Sequence, residues 1–157
     1  MKAATAKQIK DELSHRSPQE LTELCLRLSR FKKENKELLT YLLFEAADED
    51  GYVAYIKEEI DEQFVAVNKK NWYFIKKNIR KILSNVRKHI RYSQSKETDV
   101  RLRIYFCEKL KGFQPSIQRN KVLKGLYERQ LDTIQTAISK LHEDLQYDYG
   151  EELKNLS

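Results

Sequence analysis

The chain has 157 residues, of which 40% are hydrophobic and 34% are charged, and its formal net charge is +6 at pH 7. A domain of this length buries roughly 70% of the surface of its unfolded form, so a core can form without disulfides or a metal. Four glycines and two prolines are too few for the many tight turns of a β-rich protein. We therefore predict an all-α fold and a single domain over residues 1–157.

Neither a secretory signal nor a membrane span is indicated. The first residues, MKAATAKQIKDELS, contain no apolar stretch of signal-peptide length. The most apolar run, residues 38–46, is far shorter than the roughly 20 residues that span a bilayer. We expect a cytoplasmic protein in which Cys25 and Cys107, both set among apolar residues, are reduced core residues.

Residues 1–48 are predicted to form three helices. Ile9 and Leu13 indicate a short first helix at about 4–14. The sequence SPQE is a capping box with proline in the first turn, and it begins a helix over about 18–30. The spacing of three and four predicts a buried stripe on this helix, formed by Leu21, Leu24, Cys25 and Leu28.

The third predicted helix, about 33–48, has apolar residues around more than half of its circumference: Leu38, Leu39, Leu42, Leu43 and Phe44. A helix of that kind is predicted to lie centrally and to pack on more than one side.

Four further helices are predicted after the turn DEDG at 48–51. The first, 52–67, has an apolar stripe and an opposite acidic face containing Glu58, Glu59, Asp61 and Glu62. The second is a basic helix over 68–92, and the third covers 100–111. Apolar residues recur at helical spacing over about 117–146, which predicts one long helix followed by a loose tail at 147–157.

The predicted architecture is an irregular stack of antiparallel αα hairpins with six or seven helices. Helix starts near 17, 33, 52 and 69 give about 35 residues for each helix pair, which is the length of common helical repeats. No repeat signature accompanies this spacing, so a plain helical bundle remains the alternative.

The basic helix is the strongest candidate for a binding surface. Ten Lys or Arg residues and no acid occur between Glu62 and Glu97, whereas the rest of the chain has 20 basic and 24 acidic residues. Projected at 100° per residue, most of these cations fall within about 140° together with Tyr73, and Phe74 and Tyr92 project at the margin. The candidate residues are Lys69, Lys70, Tyr73, Lys76, Lys77, Arg80, Lys81, Arg87, Lys88 and Arg91.

Two interpretations of this face remain open. An amphipathic helix must turn polar residues outward, and the acids of the preceding helix could neutralise the cations. Solvated faces usually mix charges of both signs, however, because opposite charges four residues apart are mildly stabilising. Cations around an aromatic are typical of single-stranded nucleic-acid sites, in which cations hold phosphates and rings stack on bases. An acidic protein surface is an equal alternative as partner.

No catalytic, metal or cofactor motif occurs. His15, His89 and His142 lie far apart, and none belongs to an HExxH pair. The acidic turn at 48–51 resembles a calcium loop only superficially, because Lys57 occupies the position at which a carboxylate is needed. We expect no cofactor, no metal site and no enzymatic activity.

The stretches SPQELTELCLRLSRFKKENKELLTYLLFEA and HEDLQYDY resemble those of a family of small uncharacterised all-helical bacterial proteins. The resemblance covers most of the chain but implies no catalytic or binding residues. The sequence thus predicts a non-enzymatic helical scaffold or protein-interaction module, with nucleic-acid binding by helix 68–92 as the alternative. The acidic C-terminal tail is also a candidate to fold over the basic helix and compete with a ligand.

Overall fold

A computed structural model describes all residues from Met1 to Ser157. It contains no β-strand, so the predicted all-α class is confirmed. The chain divides into two compact units, unit 1 (Met1–Phe44) and unit 2 (Glu45–Ser157). There are eight α-helices where six or seven were predicted: α1 Ala6–Ser14, α2 Pro18–Phe31, α3 Lys33–Thr40, α4 Glu49–Val65, α5 Trp72–Ser93, α6 Lys96–Lys111, α7 Lys121–Ile138 and α8 Glu143–Leu156.

Local capping defines the helices of unit 1. Thr5 and Ser17 each form a complete capping box, with Gln8 and Glu20 as the reciprocal partners. Extended backbone at Lys32 separates α2 from α3, and the two helices pack against each other. The amide of Asn35 donates to the carbonyl of Leu28 at 2.8 Å, which closes this connection.

Unit 1 does not form the core that its apolar pattern predicts. None of α1, α2 and α3 contains a buried residue. Cys25, predicted to be a core residue, is exposed, and Leu28 of the predicted buried stripe is 63% exposed. The spacing correctly predicted an amphipathic helix, but three short helices do not supply enough neighbouring surface to cover its apolar side.

The predicted central helix over 33–48 is also wrong. The α-helix ends at Thr40, and a π-helical turn follows at Tyr41–Glu45. Leu42, Leu43 and Phe44 are more than half exposed. The next helix begins at Glu49, inside the predicted turn, because the Asp48 side chain accepts from the amide of Gly51 and caps α4.

The core of unit 2 is built around α6, which packs against α4, α5, α7 and α8. Its inward side chains, including Leu102, Phe106 and Cys107, have no exposed surface, so the prediction that Cys107 lies in the core is confirmed. The Phe106 ring lies 5.8 Å from the ring of Phe64 on α4. The Glu49 carboxylate accepts from the hydroxyls of Ser93 and Thr98 and thereby ties the start of α4 to the α5–α6 turn.

The long helix predicted over 117–146 is two helices. A single turn of 3₁₀-helix at Ile117–Arg119 precedes α7, and the chain turns between Ile138 and Glu143 before α8. Leu141 is buried within this turn, which continues the apolar spacing across the break. The side-chain amide of Gln146 donates to the Leu141 carbonyl at 2.8 Å and thereby satisfies a backbone acceptor that the break in the helix leaves without an intrahelical partner.

Residues 147–156 of the segment 147–157, for which a loose tail is expected from sequence, belong to α8, and Ser157 caps it. Leu153 and Leu156 are buried, and α8 packs against α6 and α7. The Tyr127 hydroxyl donates to the Leu156 carbonyl at 2.5 Å, and the Tyr149 hydroxyl donates to the Glu97 carboxylate at 2.6 Å. These contacts fix the last turn of α8 to α7 and its middle to α6.

None of the eight helices combines the length and the apolar composition that crossing a membrane requires.

Candidate nucleic-acid interface

The orientation of α5 is determined by its buried side. Asn71 caps the helix by accepting from the Phe74 amide, and 22 residues at 1.5 Å each make it about 33 Å long. One side of the helix is inserted into the core of unit 2, through Ile75, Ile79, Ile82, Leu83 and Val86. The opposite side must therefore point outward, and it is the side that contains the cations.

The structure brings most of the candidate cations together on the outward side of one helix. We use the name cationic face for Lys76, Lys77, Arg80, Lys81, Arg87, Lys88 and Arg91, with Tyr73 among them. Lys76 and Lys88 are half-buried, and the other cations are exposed. The face follows α5 from its first turn to its last, so it is a continuous ridge of positive charge.

Lys69 and Lys70 do not lie on this helix. The sequence predicted a helix over 68–92, whereas α5 begins at Trp72 and the two lysines precede it in the loop. Asn68 accepts from the Lys70 amide at 3.0 Å, and the Lys69 ammonium lies 4.9 Å from the ring centroid of Phe113. The polar turn formed by Asn68 and Asn71 competes with helix formation there, so the helix starts later than its charge pattern suggests.

Most of the cationic face is not neutralised within the chain. Lys76, Lys77, Arg80, Lys81, Arg87 and Arg91 make no ion pair, whereas Lys88 has a partner and is not counted among the unpaired cations. Six uncompensated cations on one 22-residue helix repel one another across successive turns. The arrangement therefore favours a bound anion.

The acids of α4 are used elsewhere. Asp50 pairs with Arg101 at 2.7 Å, and Asp61 pairs with Lys109 at 3.0 Å, both on α6. Glu58 and Glu62 are exposed and make no ion pair. Most of the acidic side of α4 thus serves α6 or faces solvent, which removes the main neutralising partner considered for the basic helix.

Asp61 shows how firmly one of these acids is held by α6. Desolvation alone would raise the pKa of its carboxyl, but the hydroxyl of Tyr105 and the ammonium of Lys109 outweigh that effect and hold the pKa below its usual value. Tyr105 donates to both oxygens of this carboxylate, at 2.7 and 2.8 Å. Asp61 is therefore ionised and committed to the α4–α6 contact.

Besides Glu49 at the start of α4, the acid Glu59 also contacts α5, and it does so at His89. The His89 Nε2 lies 3.3 Å from the Glu59 carboxylate, and its Nδ1 lies 2.9 Å from the Tyr52 hydroxyl. The imidazole also stacks edge-on against the ring of Tyr92 at 5.7 Å. Sequence reasoning considered His89 only as a metal ligand and missed this contact, although its position beside the apolar stripe of α5 was the available signal.

The three aromatics named from the sequence have different environments. Tyr73 is 65% exposed among the cations. Phe74 is half-buried and packs edge-on against Tyr73 with ring centroids 5.3 Å apart. Tyr92, at 9% exposure, is a core residue. Tyr73 is therefore the aromatic that can stack on a ligand, and Phe74 supports it from the side.

The C-terminal acids do not cover the cationic face. Residues 143–156 form α8, which packs against α6 and α7, and the exposed cations of α5 remain accessible. This corrects the hypothesis that an acidic tail folds over the basic helix. The reason is that Leu153 and Leu156 are buried, which commits the segment to a different side of unit 2.

No group of three or more His, Cys, Asp or Glu side chains is placed to hold a metal ion. No protein-family model, curated protein or solved structure matches the chain.

Proposed function

We propose that the chain is a non-enzymatic helical binding module and that the cationic face of α5 binds single-stranded nucleic acid. The observation that carries the proposal is the set of six exposed or half-exposed cations without an ion pair on one side of α5. They lie around a tyrosine that is 65% exposed. Cations that follow a phosphate backbone and an aromatic that stacks on a base are the two parts of a single-strand site.

Salt dependence tests this proposal directly. Labelled single-stranded and duplex oligonucleotides would be titrated by fluorescence anisotropy at several salt concentrations. If about five phosphates are contacted, log affinity falls against log salt with a slope of about −3.5 on single strands. A duplex would give about −4.5, and we expect tighter binding to the single strand because duplex bases are not free to stack on Tyr73.

The decisive variant reverses four cations on the first half of the face: Lys76→Glu, Lys77→Glu, Arg80→Glu and Lys81→Glu. We expect binding to be lost and the salt slope to fall toward zero. A matched control makes the same change in net charge on exposed cations of α7 and of the turn that follows it, through Lys121→Glu, Lys124→Glu, Arg129→Glu and Lys140→Glu. Equal loss in both variants would mean that net charge alone attracts the ligand, and undiminished binding in the first would refute the proposal.

Tyr73→Ala separates base stacking from charge. The residue is exposed, so the substitution removes little packing. We expect the affinity for single strands to fall by about 1–3 kcal/mol with an unchanged salt slope. Tyr55→Ala is the control, because Tyr55 is 56% exposed and belongs to a different helix, α4. If both variants bind alike, the ring of Tyr73 takes no part.

An acidic protein surface would use the same cations but would not need the ring. Polyglutamate is the probe for this outcome. Competition by polyglutamate at matched charge concentration, together with normal binding by Tyr73→Ala, would replace nucleic acid by an acidic protein as the partner.

A second candidate function, a helical scaffold or protein-interaction module, is favoured by a different observation. The α-helices of unit 1 contain no buried residue, and most of their leucine and phenylalanine side chains are exposed. Exposed apolar surface of this extent is typical of a protein-binding surface.

A further inference from the structure

Unit 1 exposes many large apolar side chains. Ten large apolar side chains between Ile9 and Phe44 are at least 36% exposed, and Phe31 reaches 77%. If a fully exposed large side chain has about 200 Å², these residues present on the order of 1,000 Å². The largest apolar patch of a typical monomer is roughly 300–600 Å², whereas a standard interface buries about 800 Å² from each partner. The exposed apolar area of unit 1, summed over its helices, is therefore of the order that one partner contributes to a standard interface.

Six of these ten residues line two grooves on either side of α2. The groove between α1 and α2 has a volume of about 850 Å³, with Ile9, Leu13 and Leu24 as its apolar floor. The groove between α2 and α3 is smaller, about 240 Å³, and is lined by Cys25, Leu28 and Leu42 among others. A helix laid in the α1–α2 groove would cover its apolar floor.

The charges beside the α1–α2 groove determine which helix fits. Along α2, Glu20 and Glu23 lie in the first half, and Arg27 and Arg30 lie in the second half. Glu20 pairs with Arg16 at 3.3 Å, but Glu23, Arg27 and Arg30 make no ion pair in the chain. A helix that runs antiparallel to α2 and has its own acids first and its bases second would match every one of these charges. The α2 helix of another copy has that pattern.

We propose that unit 1 is a homodimerisation surface in which α2 packs antiparallel against α2 of a second copy of this chain. This inference rests on the interaction role proposed for unit 1 and does not depend on the function of α5. The two pairs Glu20 with Arg30 and Glu23 with Arg27 are both centred on position 25, so the two-fold axis passes close to Leu24 and Cys25. Such an interface is isologous, and each contact occurs twice.

Charge reversal at Glu23 and Arg27 tests the antiparallel register. Sedimentation velocity of the full chain at increasing concentration should show a monomer–dimer equilibrium. Glu23→Arg alone places like charges together twice, and so does Arg27→Glu, so we expect each to weaken self-association about tenfold or more. A mixture of the two variants should restore dimers, because both contacts are then attractive. The double variant E23R/R27E should dimerise as the unaltered chain does.

Leu24→Glu and Lys140→Glu provide the matched pair for the apolar contact. Both positions are exposed, at 41% for Leu24, so circular dichroism should show unchanged helix content in both. We expect Leu24→Glu to be monomeric and Lys140→Glu to dimerise normally. If the unaltered chain dimerises but a mixture of the Glu23→Arg and Arg27→Glu variants forms no dimers, the antiparallel register is wrong.

A chain that sediments as a monomer at all concentrations would refute the dimer. Binding of the apolar dye ANS then tests whether unit 1 still presents an apolar surface for another protein. ANS fluorescence that is lost in Leu24→Glu would leave the apolar surface available to another protein. A monomer that binds no ANS would refute both the dimer and the interaction role of unit 1.

Discussion

Replacing Phe106 with alanine is expected to lower the free energy of unfolding of unit 2 by about 3–5 kcal/mol. Phe106 has no exposed surface and packs its ring 5.8 Å from Phe64. It lies on α6, which contacts the other four helices of unit 2, so the cavity left by the ring lies where most of the core meets. Urea unfolding monitored by circular dichroism measures the loss.

The control for Phe106 is another aromatic of the same unit on its surface. Tyr147 is 72% exposed on α8, and Tyr147→Ala should change the free energy of unfolding by less than about 0.5 kcal/mol. A loss below about 1 kcal/mol for Phe106→Ala would mean that the core does not converge on α6.

The second large effect is a loss of stability in alkali. Burial raises the pKa of the Cys107 thiol from 9.0 to about 12 and the pKa of the Tyr127 phenol from 10.0 to about 12. Burial, and then the hydrogen bond to Glu97, also raise the pKa of Tyr149. Each group keeps its proton in the folded state above the pH at which the unfolded chain releases it. The unfolded state then binds fewer protons, so the free energy of unfolding falls as pH rises.

The window and size of this effect follow from the same pKa values. The stability contribution is present below about pH 9 and is lost between about pH 9 and 12. Each pKa unit corresponds to about 1.4 kcal/mol, so deprotonation of Cys107 and Tyr127 in the unfolded chain lowers the free energy of unfolding by several kcal/mol in total. Urea unfolding at about pH 8, 9, 10 and 11, which covers most of this range, gives the slope of the free energy of unfolding against pH.

The two cysteines supply a matched pair for this prediction. Cys107→Ala removes the buried thiol and should make the slope shallower between about pH 9 and 12. Cys25→Ala removes a thiol that is exposed and should leave the slope unchanged. An equal change in both variants, or none in either, would contradict the assignment of the alkaline loss to Cys107.

The candidate site illustrates which part of a binding surface can be predicted from sequence. The apolar spacing of Ile75, Ile79 and Val86 determines which side of α5 enters the core, and hence that the cations point outward. Whether those cations are neutralised depends on residues distant in sequence. Asp50 and Asp61 could have faced α5, but Arg101 and Lys109 of α6 attract them instead.

Errors at the ends of helices have a common physical cause. The charge and the apolar period continue through Lys69 and Lys70 and predict that both lie on α5. The side chains of Asn68 and Asn71 instead accept hydrogen bonds from backbone amides, so the helix starts after them. At the other end of the chain, Leu141 keeps the apolar spacing through the turn between α7 and α8. Periodicity reports which side chains are apolar, but it does not report where the backbone changes direction.

The sequence by itself determined the properties that depend on near neighbours: helical content, the capping box at Ser17, and the separation of cations from apolar residues along α5. Only the tertiary structure decided which apolar stripes are covered and which charges are paired. Phe106 is buried and Phe31 is exposed although both are phenylalanines on α-helices. The physical reason is that burial and ion pairing require a second surface, and the helix that supplies it lies far along the chain or, for unit 1, is proposed to belong to another copy.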